Sequence, residues 1–236
     1  MVRIGNFFFH YRNILLPLFF LLILVPSPLV FSNPDWAFLA GFAVCILGQL
    51  IRFITIGLVY IIRGGRNRRI YAEGLVSEGI FSHCRNPLYV GNIAVSIGMG
   101  IASNSLIFLS FITPMILFIY SSIVAAEENF LRGKFGAEYD AYAQRVNRWL
   151  PNLKGIGKTF RDHRFSWKRV LLKEYNSTFV GIMLVLLLVL KARYEQFGSG
   201  SEFDQLLPQL GWGMASVTCI YLFVKVLKKT GTLVAE

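Results

Sequence analysis

Two adjacent carboxylates, Glu127 and Glu128, follow an apolar run that ends at Ala126. At the C-terminal end of a helix such a pair opposes the helix dipole and repels itself, so it calls for a cation. An arginine of a neighbouring basic loop or a positively charged ligand would serve equally. The second candidate group is the run Arg85-Asn86-Pro87-Leu88-Tyr89-Val90-Gly91-Asn92. Asn is a favoured N-cap and Pro a favoured first helical residue, so this reads as a helix start. Free N–H groups and the positive end of the dipole suit a carboxylate or phosphate there, and Gly91 admits a close neighbour to the first turn. Arg52 is the third candidate. It lies ten residues before the apolar run ends at Ile62, about 15 Å along a helix, farther than an arginine can snorkel. A charge at that depth faces a cavity or a partner, unless the helix breaks near Gly57. Gln49 falls on the same face as Arg52.

Other residues carry less. His83 beside the Asn86 cap is a conceivable general base, although a single loop histidine is more often a bystander, and Gly98-Met99-Gly100 reads as small-residue helix packing. Cys45, Cys84 and Cys219 have neither metal-site spacing nor an even disulfide count. The chain holds no Ser/His/Asp set, no zinc spacing and no Walker-type loop, which removes the footing for hydrolase and ATPase readings.

The elements that must position these groups are membrane helices. Of 236 residues 55% are hydrophobic and only 16% charged, against about a quarter charged in soluble domains. Six apolar runs predict spans: Ile14–Phe31, Trp36–Ile62, Pro87–Ala102, Leu106–Ala126, Thr178–Ala192 and Leu206–Leu227. Ser103, Asn104 and Ser105 alone separate the third from the fourth, which predicts a tight hairpin. The Pro26-Ser27-Pro28 exit lacks a small-x-small cleavage pattern, so the first run reads as a retained span. With six spans the Lys and Arg residues outside mid-membrane divide 21 to 2 between the two sides, which predicts both termini and the loops 63–86 and 127–177 to be cytoplasmic. Topology thus accounts for the net charge of +11 without nucleic acid as a partner. Phe135, Tyr139, Tyr142, Val146 and Trp149 recur at helical spacing and predict an amphipathic interfacial helix over 130–149. The fold class is therefore an all-α integral membrane bundle: a core over 1–151, then a basic segment and two further spans over 152–236.

In order and spacing, Leu75-Val76-Ser77-Glu78-Gly79-Ile80-Phe81, the Arg-Asn-Pro run, the hairpin, Glu127-Glu128-Asn129-Phe130-Leu131, Phe135-Gly136, Tyr139, Tyr142, Val146, Arg148 and Pro151 resemble the isoprenylcysteine carboxyl methyltransferase and phospholipid methyltransferase superfamily. The similarity covers about residues 45–151. It implies S-adenosylmethionine as methyl donor, bound around Arg85, Asn86, Pro87, Tyr89, Gly91, Glu127 and Glu128, with a lipidic or prenylated acceptor entering from the bilayer. The donor's carboxylate would suit the helix start and its cationic centres Glu127 or Glu128. Arg148 or Arg52 would hold an anionic acceptor, and Glu128 would either bind the donor or take a proton from an amine. The carboxyl methyltransferase branch commonly has His where Asn86 stands, whereas phospholipid methyltransferases have a similar Asn-Pro-x-Tyr-x-Gly segment, so oxygen and nitrogen acceptors both stay open. The expected location is a bacterial inner membrane or an endomembrane, with the site facing the cytoplasm. Rival readings are a nicotinamide-dependent membrane reductase of sterol-reductase-like architecture and a non-catalytic adaptor or transporter.

Overall fold

The computed structural model describes residues 1–59, 63–66, 69–198 and 200–232. Among them are eight α-helices, five of which are long and apolar enough to cross a membrane, and a sixth, Pro87–Ala102, which is shorter. The all-α membrane bundle read from the sequence is the architecture observed, with different boundaries.

Helix α1 runs Val2–Leu21 and continues as a 3₁₀ turn to Leu24, well before the predicted Ile14 and short of Phe31. Arg3 and Arg12 do not delay it, because they are carried on a helix face, while Pro26 and Pro28 disfavour helical geometry in the residues before them and stop it. Helix α2 spans Pro34–Leu58, with the Asn33 side chain accepting from Trp36 N; it is unbroken at Gly57, and the predicted Tyr60–Ile62 lie outside the described residues. The following loop holds an antiparallel ribbon, β1 (Arg63–Arg66) with β2 (Arg69–Ala72), pairing Arg63 with Ala72 and Arg66 with Arg69. Sequence periodicity gives no sign of so short a pairing.

Helix α3, Pro87–Ala102, has its predicted bounds. The turn after it puts Asn104 at φ 49°, and its side chain accepts from Val30 N and Phe31 N and donates to Phe31 O. This polar staple ties the α3 hairpin to the connection between α1 and α2. A π-helical turn at Phe108–Ile112 then leads into α4, Thr113–Phe135, whose second residue, Pro114, has no N–H to continue a regular ladder. α4 does not stop at Ala126. Glu127 and Glu128 therefore sit within the helix, not past its end, and partners described below neutralise the mismatch with the dipole.

The amphipathic helix is also shorter than predicted. Gly136 at φ 52° separates α4 from α5, Ala137–Arg145, and the chain is extended at Val146 and bent beyond it. Tyr139 and Tyr142 are buried as the pattern requires, but Val146 and Trp149 leave the helix. After the short α6, Ile156–Asp162, come α7, Trp167–Phe197, and α8, Ser201–Lys229, both longer than the predicted Thr178–Ala192 and Leu206–Leu227. Their polar ends extend the helices beyond the apolar runs used to locate them.

α2 and α3 form the closest pair. A Cβ on Gly91 would lie 2.7 Å from Gly48 O, and one on Gly98 2.6 Å from Gly41 O, so glycines seven residues apart on each helix bring the backbones together. α1 packs on α4, and α7 packs on both α2 and α8.

Candidate active site

Three polar groups gather near the end of the bundle that carries the basic loops. The first surrounds the start of α3. Residues 147–152 run as a strap alongside 83–86: Arg85 N donates to Asn147 O at 2.9 Å, Asn152 N to His83 O at 2.9 Å and Cys84 Sγ to Trp149 O at 3.4 Å. Tyr142 Oη, donating to Phe81 O at 2.8 Å, anchors α5 beside it. This strap delivers Arg148 to the carboxylate of α4. Arg148 Nε donates to Glu128 Oε1 at 3.1 Å and Nη2 to Oε2 at 2.6 Å, while Arg85 Nη2 lies 3.4 Å from Oε1. Of the alternatives open for Glu128, the arginines of the basic loops are what the structure puts against it.

Two guanidinium groups share one buried carboxylate, so this cluster is cationic. Arg148 keeps 48% of its side chain exposed, whereas Arg85 Nε is buried without a hydrogen-bond partner. Asn86 stands at the N-cap, but its side chain makes no capping bond; its amide donates to Arg148 O at 3.2 Å and braces the strap. Burial pushes the Cys84 thiol up, while the Asn86 backbone and Arg85 pull it the other way. His83 is buried with Nδ1 2.6 Å from Asn152 O and Nε2 2.8 Å from Thr159 Oγ1. A carbonyl only accepts, so Nδ1 donates to Asn152 O, and the Thr159 hydroxyl, which can act either way, faces Nε2. His83 fastens the strap and α6 to the 83–86 segment.

The second group joins α1, α3 and α4. Tyr89 Oη donates to Glu127 Oε1 at 2.7 Å and accepts from Arg12 Nη1 at 3.1 Å. Arg12 was counted in the sequence only as a topology signal.

The third group joins α2, α3 and α7. Arg52 Nε donates to Glu174 Oε2 at 2.8 Å and Nη2 to Oε1 at 2.7 Å; Ser177 Oγ and Asn92 Oδ1 accept further bonds from the same guanidinium. Gln49 Nε2 donates to Glu174 Oε2 at 3.3 Å. Arg52 is six residues from the end of α2, about 9 Å, because the helix stops at Leu58 and not at Ile62. Its counter-ion, Glu174, escaped the sequence reading. The available signal was that Glu174 is the only acidic residue between Asp162 and Glu195. Gly91 belongs to this group, not to the Glu128 cluster: a Cβ there would lie 2.6 Å from Arg52 Cγ. Pro87 opens α3 and is buried.

Residues 36–138 match the phospholipid methyltransferase family. The stretch is similar to the superfamily of isoprenylcysteine carboxyl methyltransferases and phospholipid methyltransferases. Relatives of the methyltransferase-superfamily region include protein-S-isoprenylcysteine O-methyltransferase B of Arabidopsis thaliana, 30% identical over 49% of this chain and 60% of its own. The protein-S-isoprenylcysteine O-methyltransferase of Tribolium castaneum is 28% identical over 51% of this chain and 43% of its own. A nickel-cobalt-cadmium resistance protein, NccN, of Alcaligenes xylosoxydans xylosoxydans is 29% identical over 52% of this chain and 57% of its own. The chain thus spans about half the length of the curated relatives it matches, and no solved structure matches it. Arg52, Arg85, Asn86, Tyr89, Gly91, Glu127 and Glu128 lie inside the superfamily region; Arg12, Arg148 and Glu174 lie outside it. Among the described residues no three His, Cys, Asp or Glu side chains form a metal-sized cluster.

Proposed function

We propose that this chain is a membrane methyltransferase that uses S-adenosylmethionine and acts on a lipidic or prenylated amphiphile. The observation that carries the reading is the gathering of Arg85, Asn86, Glu128 and the strap residue Arg148 at the start of α3, within and beside the superfamily region. The residues fit the proposed donor at its anionic end. One unpartnered buried N–H on Arg85, the exposed half of Arg148 and an excess of one positive charge suit a carboxylate. Glu127, one residue from Glu128 and held by the Tyr89 hydroxyl, is the acidic group for its cationic end. The donor supplies a methyl group already activated on a sulfonium, so little covalent chemistry is asked of the protein.

The contribution of these side chains is placement. Glu128, clamped by two guanidinium groups, is better suited to hold Arg85 and Arg148 in position than to take a proton, because protonation would leave both cations without their counter-ion. The strap covers one side of the start of α3 and positions Arg148 there, and oriented, desolvated reactants account for much of the barrier reduction in methyl transfer. We place the basic end in the cytoplasm on the 21 to 2 count; reporter fusions at Asn104 and Gly200 then signal from the outer side, and a cytoplasmic signal at Gly200 contradicts that topology.

The test is incubation of the purified protein with methyl-labelled donor and a total lipid extract, alongside direct titration of the donor and of a nicotinamide cofactor. Label in the lipid fraction with donor binding supports the reading. Binding of the nicotinamide alone favours a reductase, and binding of neither an adaptor or transporter.

A further inference from the structure

An apolar groove of about 300 Å³ runs between α7, α8 and Phe53 of α2. It is built almost entirely from the C-terminal pair of helices, outside the superfamily region, and nothing in the proposed methyl transfer requires it. Along α7 its walls extend from Trp167 to Ile182, fifteen residues or about 22 Å, from the polar start of the helix into its apolar run. The volume decides what kind of occupant fits. A helix of that length and ~10 Å diameter occupies on the order of 1,700 Å³ and could lie only against the groove, whereas an extended hydrocarbon chain is slender enough to lie within it.

The charges at the groove decide the headgroup. Its only acidic lining residue, Glu174, is 3% exposed and has both carboxylate oxygens engaged by Arg52. Towards the basic end Tyr175 and Phe179 stack on Tyr221, with ring centroids 5.5 and 4.3 Å apart, and form an aromatic wall. Above that wall stand two ammonium groups: Lys228 Nζ lies 4.8 Å from the Tyr175 ring and Lys225 Nζ 5.7 Å from the Tyr221 ring. Both lysines are exposed, and Leu172 O takes only one of the three N–H donors of Lys228. A narrow apolar slot that opens under two cations complements an anionic amphiphile.

We propose that this groove binds one acyl chain of an anionic phospholipid, with the phosphate at Lys225 and Lys228. The site is independent of the methyl-donor reading, because it shares none of the residues assigned to the donor.

The experiment is native mass spectrometry of the full chain from mixed micelles containing dioleoylphosphatidylglycerol or dioleoylphosphatidylcholine. The wild type should retain the anionic lipid about fivefold better. Val217→Trp, which fills the groove from α8, should lower retention of both lipids roughly tenfold, as for the loss of two or more buried methylenes. Lys225→Gln with Lys228→Gln should keep the binding and erase the preference. Equal retention of the two lipids by the wild type, undiminished retention in Val217→Trp, or a dimer that disappears in Val217→Trp and so shows a second copy in the groove, would each overturn the proposal. Should Val217→Trp fail to fold, the surface lysine pair decides alone, and a preserved preference for the anionic lipid counts against the site.

Discussion

Glu128 and Glu174 are buried to nearly the same degree, 5% and 3% exposed, and each is gripped by an arginine through two hydrogen bonds, yet their settings differ. Around Glu174 the charges balance, Arg52 is only 12% exposed, and Gln49, Asn92 and Ser177 take up the remaining polar capacity. Around Glu128 there is one carboxylate for two arginines, an orphaned N–H on Arg85, and an Arg148 that is half in solvent. The first is a sealed pair that fastens α7 to α2 and α3. The second has a surplus of positive charge and an open side, which is what a site that exchanges an anionic ligand needs. Burial and ion pairing alone do not distinguish a structural charge from a functional one; unbalanced charge and an accessible partner do.

The largest effect should come from breaking the sealed pair. Glu174→Ala leaves Arg52 buried without a counter-ion and should cost about 3–5 kcal/mol, read as a fall in thermal midpoint in detergent, while Arg52→Met with Glu174→Leu should recover most of that loss. A Glu174→Ala protein as stable as wild type would mean that the pair is not sealed. Next comes Gly91→Val, which drives a side chain into Arg52 and the α2 backbone; overpacking of this kind costs about 1–3 kcal/mol, and the same thermal assay should show it. If the midpoint is unchanged, the α2–α3 contact is looser than described.

On the open side the balance reverses. Arg148→Gln should shift stability by less than about 1 kcal/mol, as expected of a half-exposed pair, but weaken donor binding roughly tenfold, the equivalent of one charge-assisted hydrogen bond. Calorimetric titration reads the second effect, and wild-type affinity would remove Arg148 from the site. Arg12→Leu should be milder. The Tyr89–Glu127 bond remains and only one donor to Tyr89 is lost, about 0.5–1.5 kcal/mol, seen as a severalfold drop in methyl transfer. The smallest effect concerns Cys84. Because burial raises its thiol, thiolate is scarcer than in an exposed cysteine, so alkylation of the folded protein at neutral pH should be slow and should climb only as the pH passes the ordinary thiol range. Rapid alkylation at neutral pH in folded protein would show that the strap covering Cys84 opens.

The sequence by itself determined that the chain is a bundle of membrane helices, where the tight turn at Ser103–Ser105 falls, and that Arg52 needs a partner, because apolar run length and the cost of a buried charge are local properties. It also brought the Arg-Asn-Pro and Glu-Glu segments to one end, since a hairpin of two similar helices returns the chain to the side it left. Other boundaries were not legible. Glu127 and Glu128 sit inside α4 because Arg85, Arg148 and Tyr89 neutralise them from elsewhere in the chain, and the predicted helix over 130–149 yields beyond Arg145 because the strap makes better bonds to residues 83–86 than a helix could. The choice of partners belonged wholly to the tertiary structure. Arg52 and Glu174 are 122 positions apart, and Glu128 had an arginine and a ligand as equal prospects until the strap delivered Arg148. Charge pairing acts through distances of a few ångströms, and spacing along the chain carries no record of which of 24 basic residues comes that close.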